Sequence, residues 1–115
     1  MGQIILPSKE RKWLQYYNDT EIETPLSNIR LFDAISHVDD PHRIALKYFG
    51  FQITYGFLYE QIDRVAVSFV QNGIGKGDVV MLMLPTIPES VYCFYALNKI
   101  GAIPNMIDVR TTPSR

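Results

Sequence analysis

Four groups of residues in this 115-residue chain have side chains that can do chemistry. Lys76 lies among glycines in "GIGKGD" (73–78), where it invites a phosphate-binding reading. A phosphate-cradling loop needs the spacing G-x-x-x-x-G-K-[ST], so that successive backbone N–H groups converge on one anion. That spacing is absent, and the expected role is a turn with a solvated lysine. Cys93 is the sole cysteine and has no histidine near it in sequence. Without a base or a cation to favour the thiolate, a buried inert thiol is expected. "HVDDPH" gathers His37, Asp39, Asp40 and His42. Closed metal sites need ligands fixed in geometry, whereas Pro41 and the loop context make this a solvated helix end, and no metal is expected. Tyr48, Phe49, Phe51, Tyr55, Phe57 and Tyr59 could stack on nucleic-acid bases. Only Lys47 and Arg64 interleave with them, too little charge for a single-strand platform, so packing is expected.

Bulk properties narrow the function classes further. Eleven Lys and Arg balance twelve Asp and Glu. Phosphate-backbone recognition requires a clustered basic excess, so nucleic acid is not an expected partner. Hydrophobic residues at 47% and charged residues at 20% place the chain among globular domains, and its length normally supplies one. A lone cysteine allows no internal disulfide, which fits a reducing, cytoplasmic location. The start "MGQIILPSKERKW" has too short an apolar run for a signal peptide, and Leu6 stands where a myristoylation motif needs Ser or Thr. Pro85, Pro88, Glu89 and Lys99 interrupt the most apolar region, so no membrane span is expected.

The elements follow from periodicity. Residues 8–17 read as a short helix with Ser8 as N-cap and Trp13, Leu14 and Tyr17 on one side. Residues 27–38 read as a second helix, capped by Ser27, with Ile29, Phe32 and Ile35 as its stripe. "RIALKYFGFQITY" alternates and predicts a hairpin turning at Gly50. At Thr54 the period changes to 3.6, and Thr54 is the expected N-cap of a helix from Tyr55 to Asn72. Leu58, Ile62, Val65 and Phe69 form its stripe, while Glu60, Gln61, Asp63 and Arg64 face out. Asn72-Gly73 ends it, with Ile74 placed for the contact of a glycine cap. "VVMLML" (79–84) has no alternation, which predicts a strand apolar on both faces and covered by helices. A helix from Pro88 to about Ile100 and a strand in "AIPNMID" complete a right-handed βαβ unit. In open α/β sheets ligands bind beyond the carboxyl ends of the strands, where "VRTTPSR" lies.

Four motifs now stand in order: Ile53-Thr54-Tyr55, Gly73-Ile74-Gly75-Lys76-Gly77-Asp78, Leu84-Pro85-Thr86-Ile87-Pro88-Glu89, and Asn98-Lys99-Ile100-Gly101-Ala102 running on to Asp108-Val109-Arg110-Thr111-Thr112. Together they resemble the N-terminal part of the AMP-forming acyl-CoA synthetases, the adenylate-forming ligase superfamily that includes luciferases and peptide-synthetase adenylation domains. The resemblance covers about residues 44 to 112. The chain departs from the family pattern where Thr86 replaces Asn, Phe57 stands where a capping-box Glu is common, and Met106 and Val109 replace prolines.

The resemblance implies a fold class: α/β, a partial parallel-sheet βαβ subdomain with an N-terminal hairpin. It divides the chain into a helical extension over 1–43 and the first α/β portion of the AMP-binding domain over 44–115. It implies an acid–thiol ligase of fatty acid metabolism as the parent protein. A carboxylate attacks the α-phosphate of ATP to give an acyl-adenylate, and coenzyme A then displaces AMP. ATP, Mg and coenzyme A are the implied cofactors of that parent. The family's phosphate loop, ribose-binding acid and catalytic lysine lie beyond residue 115, so no catalytic residue and no cofactor is expected in this chain. Arg110 matches the arginine of the family's P-L-N-P-R-L-T motif, near the coenzyme A entry, and is the one candidate binding residue. A surface arginine holding its loop by an ion pair is the competing role. The remainder of a parent chain is the expected partner, and without it the apolar strand should drive self-association through Met81, Met83, Phe94 and Tyr95. A stand-alone, non-catalytic α/β interaction module is the alternative. Continuation of the reading frame into a Thr/Ser/Gly-rich loop separates the two.

Overall fold

The computed structural model describes residues 11–20, 29–111 and 113. Lys12–Tyr16 forms a 3-10 turn instead of the expected α-helix, and Ser8 lies outside the described residues. None of its residues is buried. A short helix in water needs a docked apolar face to persist, and this segment has none. Helix α1 is likewise shorter than expected, Leu31–Ile35, with Arg30 at its N-cap making no cap bond through its own side chain; Ser27 lies outside the described residues. Phe32 and Ile35 do pack on the core, whereas Ile29 is exposed.

The hairpin forms as expected. Strands β1 (Ile44–Tyr48) and β2 (Phe51–Thr54) pair antiparallel through a two-residue turn, with a bulge between Ile44 and Leu46. Phe49 (φ 44°) and Gly50 (φ 85°) both sit in the left-handed region, as a type I′ turn requires. Glycine bears that conformation without strain and phenylalanine does not. The chain then enters α2 (Tyr55–Gln71), where the Thr54 hydroxyl accepts from the Phe57 N–H at 3.2 Å. At the far end the N–H groups of Gly73 and Ile74 donate to Val70 and Phe69, the paired bonds of a Schellman cap. Leu58, Ile62 and Ala66 are buried, with Val65 and Phe69 against them; Gln61 is half-buried, not facing out.

Strand β3 (Val79–Leu82), helix α3 (Pro88–Ile100) and strand β4 (Ile103–Met106) follow. β3 and β4 pair in parallel, Val79 opposite Ile103 and Leu82 opposite Met106. Pro88 opens α3 in its first turn, where its missing N–H costs nothing. Gly101 closes α3 at φ 82°, and a Cβ there would also lie 3.1 Å from Lys76 Cγ. Both constraints call for glycine. Helices α2 and α3 pack side by side over a core of Leu58, Ile62, Ala66, Tyr92 and Ala96; a second cluster of Leu82, Leu97 and Ala102 joins α3 to the sheet.

The strands form two separate two-stranded sheets, β1–β2 and β3–β4. One expectation needs correction. The apolar hexamer is a four-residue strand covered on one face only: Leu82 is buried, while Val79, Met81 and Met83 are 65%, 60% and 49% exposed. A single crossover helix has only one side of a sheet to lie on, so one face stays open.

Candidate functional site

The loops after the two parallel strands meet in one cleft of about 450 Å³, lined by Leu84, Pro85, Thr86, Met106, Ile107, Asp108, Val109 and Arg110. This is the carboxyl-end position at which α/β sheets bind ligands. Parallel pairing places it: Ile107 N donates to Leu82 O at 3.0 Å, which carries the register of the strands into the loop.

Arg110, the sequence candidate, stands on the rim with its side chain 86% exposed. Its guanidinium embraces Asp108, from Nε at 3.1 and 3.2 Å and from Nη2 at 2.7 Å. Asp108 Oδ1 also accepts from the Arg110 backbone N–H at 2.8 Å. Hydrogen bonding from Arg110 therefore holds the Asp108 carboxyl below the usual carboxylate range. The pair shapes the loop, and open solvent screens it so that it adds little stability. An incoming anion would have to compete with Asp108 for the guanidinium. The cleft lining carries one cation and one anion, plus the Thr86 hydroxyl. A triphosphate needs several converging donors, so these residues alone do not fit ATP. No group of three His, Cys, Asp or Glu among the described residues could hold a metal ion, and these residues do not fit Mg either.

Most backbone donors of "GIGKGD" are engaged within the fold. Gly75 N donates to Asp78 Oδ2 at 2.7 Å and Gly77 N to Gly101 O at 2.9 Å. Asp78 organises the turn, and the Lys76 stem lies over Gly101. "HVDDPH" is a turn as well: Asp40 accepts from His42 N at 2.9 Å through its side chain and from Arg43 N at 3.2 Å through its carbonyl. Burial pushes the Cys93 thiol up, and Glu89 one turn earlier pushes it the same way, so the thiolate is disfavoured.

A second cleft, about 390 Å³, runs between the hairpin and α3; Leu46, Tyr55, Val91, Phe94, Tyr95 and Ser90 are among its lining. Its walls are mostly apolar, and Ser90 Oγ is spent on Ile87 O at 2.6 Å. It offers packing and no reactive group. Phe94 and Tyr95 stack edge-on here, their centroids 5.2 Å apart.

Sequence reasoning missed two positioning residues. Asn98 Oδ1 accepts from Phe32 N at 2.7 Å, capping α1 from 66 residues away. Tyr59 OH donates to Ile35 O at 2.6 Å and ties the end of α1 to α2. Arg30 adds a bond to Lys99 O at 2.7 Å. No local pattern marks these long-range bonds. The Asp78 turn did have a signal, an aspartate closing a glycine-rich loop.

Known proteins share this arrangement. A family profile described as AMP-binding enzyme matches residues 36–115. The acetyl-coenzyme A synthetase of Emericella nidulans is 37% identical over 76 residues, covering 61% of this chain and 11% of that protein. The crotonobetaine/carnitine–CoA ligase of Citrobacter koseri is 46% identical over 59 residues, 51% of this chain and 11% of that protein. The chain thus spans about a tenth of the length of these curated relatives. Among solved structures, the N-terminal subdomain of NpsA from Klebsiella oxytoca matches with a TM-score of 0.65 at 34% identity, over 70% of this chain and 21% of that one. Apo MatB from Rhodopseudomonas palustris matches with a TM-score of 0.68 at 27% identity, over 72% and 17%. The ordered motifs, the parallel strand–helix–strand unit with its mouth at Arg110, and a profile match over most of the chain lead to one conclusion: this chain belongs to the AMP-binding enzyme family.

Proposed function

We propose that this chain is the opening α/β portion of an AMP-forming acid–thiol ligase, which activates a carboxylic acid as an acyl-adenylate and passes the acyl group to coenzyme A. In this reading residues 1–43 are an N-terminal extension and residues 44–115 begin the AMP-binding domain. The observation that supports this most is the β3–α3–β4 unit, with three of the four family motifs at its turns and ends and the fourth at the junction of β2 with α2. Two of the relatives named above are coenzyme A ligases, which favours coenzyme A as the acceptor.

ATP, Mg and coenzyme A belong to the parent enzyme in this reading, and the residues that hold the nucleotide lie outside this chain. The chain supplies the loop at 107–111, with Arg110 at the coenzyme A entry. Asp108 keeps the guanidinium in place until a phosphate of the acceptor displaces it. The Gly73–Asp78 loop acts as scaffold, because most of its donors are engaged internally. The lone half-buried cysteine favours a cytoplasmic enzyme, and no helix among the described residues is long and apolar enough to cross a membrane.

Pyrophosphate exchange into ATP, measured on the purified chain with a panel of carboxylic acids, tests the division of labour. The expected result is exchange no faster than without protein. Steady acid-dependent exchange would show a complete adenylation site within these residues and overturn the reading.

A further inference from the structure

Helix α1 is five residues long, and it is held together mostly from outside. The first four N–H groups and the last four C=O groups of any helix lack partners within it, so a helix this short depends on its surroundings. None of its residues is fully buried. Side chains of the two long helices hold both of its ends. Asn98 Oδ1 of α3 accepts from Phe32 N at 2.7 Å, and Tyr59 OH of α2 donates to Ile35 O at 2.6 Å. The Val38 backbone also hydrogen-bonds the Tyr59 hydroxyl. Arg30, at the N-cap, reaches back to donate from Nη1 to Lys99 O at 2.7 Å. Lys99 Nζ lies 5.1 Å from the centroid of the Phe32 ring and pairs with Asp63 of α2, so one cation ties all three helices together.

The chain that follows is fastened separately. Gly56 N donates to Pro41 O at 2.9 Å and Tyr55 N to Arg43 O at 2.9 Å, which pins Pro41 and Arg43 to the start of α2. The fit is close, since a Cβ on Gly56 would lie 3.3 Å from Pro41 Cβ. Asp40 closes the same turn by accepting from His42 N. The hairpin therefore keeps its anchor whether or not α1 is docked. The buried residues of the main core also come from α2 and α3 alone; α1 adds only the partly buried Phe32 and Ile35 at its margin.

We infer that α1 is a latch: residues 30–38 leave and rejoin α2 and α3 as one unit while the hairpin and both long helices stay folded. Segments with few buried contacts open at a lower free energy than the core they rest on. The clasps sit at opposite ends, Asn98 at the first turn and Tyr59 at the last. A helix of one turn cannot keep one end formed without the other, so loosening either clasp loosens the whole segment. Ile35 forms part of the wall of the cleft of about 390 Å³ between the hairpin and α3, beside Tyr55 and Leu58. Undocking removes that wall, so α1 governs access to the cleft from this side. Every contact invoked lies inside this chain, and the proposal does not rest on the enzymatic reading.

Native-state hydrogen exchange of the 115-residue chain is the test. The amides of Phe32, Ala34 and Ser36 are bonded to Asn98, Arg30 and Phe32 respectively and report on the latch; those of Ile62 and Leu97 report on the core. The expected result is one common protection factor for the three latch amides, ~100-fold or more below those of Ile62 and Leu97. Tyr59→Phe removes only the hydroxyl at the far clasp, yet it should speed all three, Phe32 included, by a common factor of ~2–10. Asn98→Ala should do the same from the other end, and Asn98→Asp, which keeps an acceptor for Phe32 N, should restore slow exchange. Ile62 and Leu97 should stay as slow as in the parent chain, which also shows that the variants fold. Latch amides as protected as Ile62 and Leu97, acceleration confined to the end that was altered, or acceleration of the core in step with the latch would each overturn the proposal.

Discussion

Replacing Thr54 with Ala removes one acceptor at the point where the hairpin becomes a helix. The hydroxyl meets the Phe57 N–H at 3.2 Å, within a helix of 17 residues whose second turn carries Leu58 into the core. The first-turn N–H groups have no partner within the helix, so the cap satisfies a donor that would otherwise depend on water. N-cap loss costs ~0.5–2 kcal/mol, and with Phe57 exposed, water can replace the lost partner, which places this site near ~1 kcal/mol. For a urea dependence of ~1–3 kcal/mol per molar, the midpoint should fall by about 0.5 M. Thr54→Ser should recover most of the loss. Gln71→Ala, on the exposed final turn, should leave the midpoint almost unmoved. Urea titrations followed by far-UV circular dichroism compare the three. Equal midpoints for Thr54→Ala and Gln71→Ala would refute the reasoning that the hydroxyl caps this helix.

Leu97 is fully buried where α3 meets the sheet, and Leu97→Ala should cost ~2–5 kcal/mol by loss of contact and cavity formation, read as a fall in urea midpoint. Gly101→Ala should cost at least ~1–2 kcal/mol, because the left-handed backbone and Lys76 both oppose a Cβ, whereas Gly75→Ala, with open space around it and no positive φ, should be close to neutral. Cys93 has a raised thiol pKa, so iodoacetamide at pH 8 should label it more slowly than a free cysteine peptide, and faster only on adding urea. The sign for stability follows: the folded state holds that proton more tightly than the unfolded state does, so its contribution is full below the ordinary thiol pKa and is lost as pH rises through the raised one. Arg110→Gln should leave the urea midpoint almost unmoved, since the pair it breaks is exposed.

What could be read from the residues alone divides by range. The hairpin, the Thr54 cap, the Gly73 and Gly101 helix ends and the Pro88 helix start are set by neighbours within five positions, and each formed where its local chemistry pointed. The helix expected over 27–38 shrank to Leu31–Ile35, because its N-terminal N–H finds Asn98 of another helix and its C-terminal carbonyl finds Tyr59. No pattern within that segment records partners 24 and 66 residues away. The uniform apolarity of "VVMLML" signalled burial on two faces, yet burial requires a covering element, and α3 covers only one. At the candidate site, the position of Arg110 beyond a parallel strand was legible. Its bidentate pairing with Asp108 was not, since a D-x-R step fits many loop geometries.

The central claim is that residues 44–111 form an interchangeable portion of an AMP-forming ligase. The most direct measurement grafts them in place of the matching segment of the Emericella nidulans acetyl-coenzyme A synthetase, and follows acetate-dependent pyrophosphate exchange. Shared scaffold geometry predicts exchange within about a hundredfold of the unaltered synthetase, a barrier change of ~2.7 kcal/mol. A graft that folds to a single species and melts cooperatively, yet shows no exchange above background, would contradict the account.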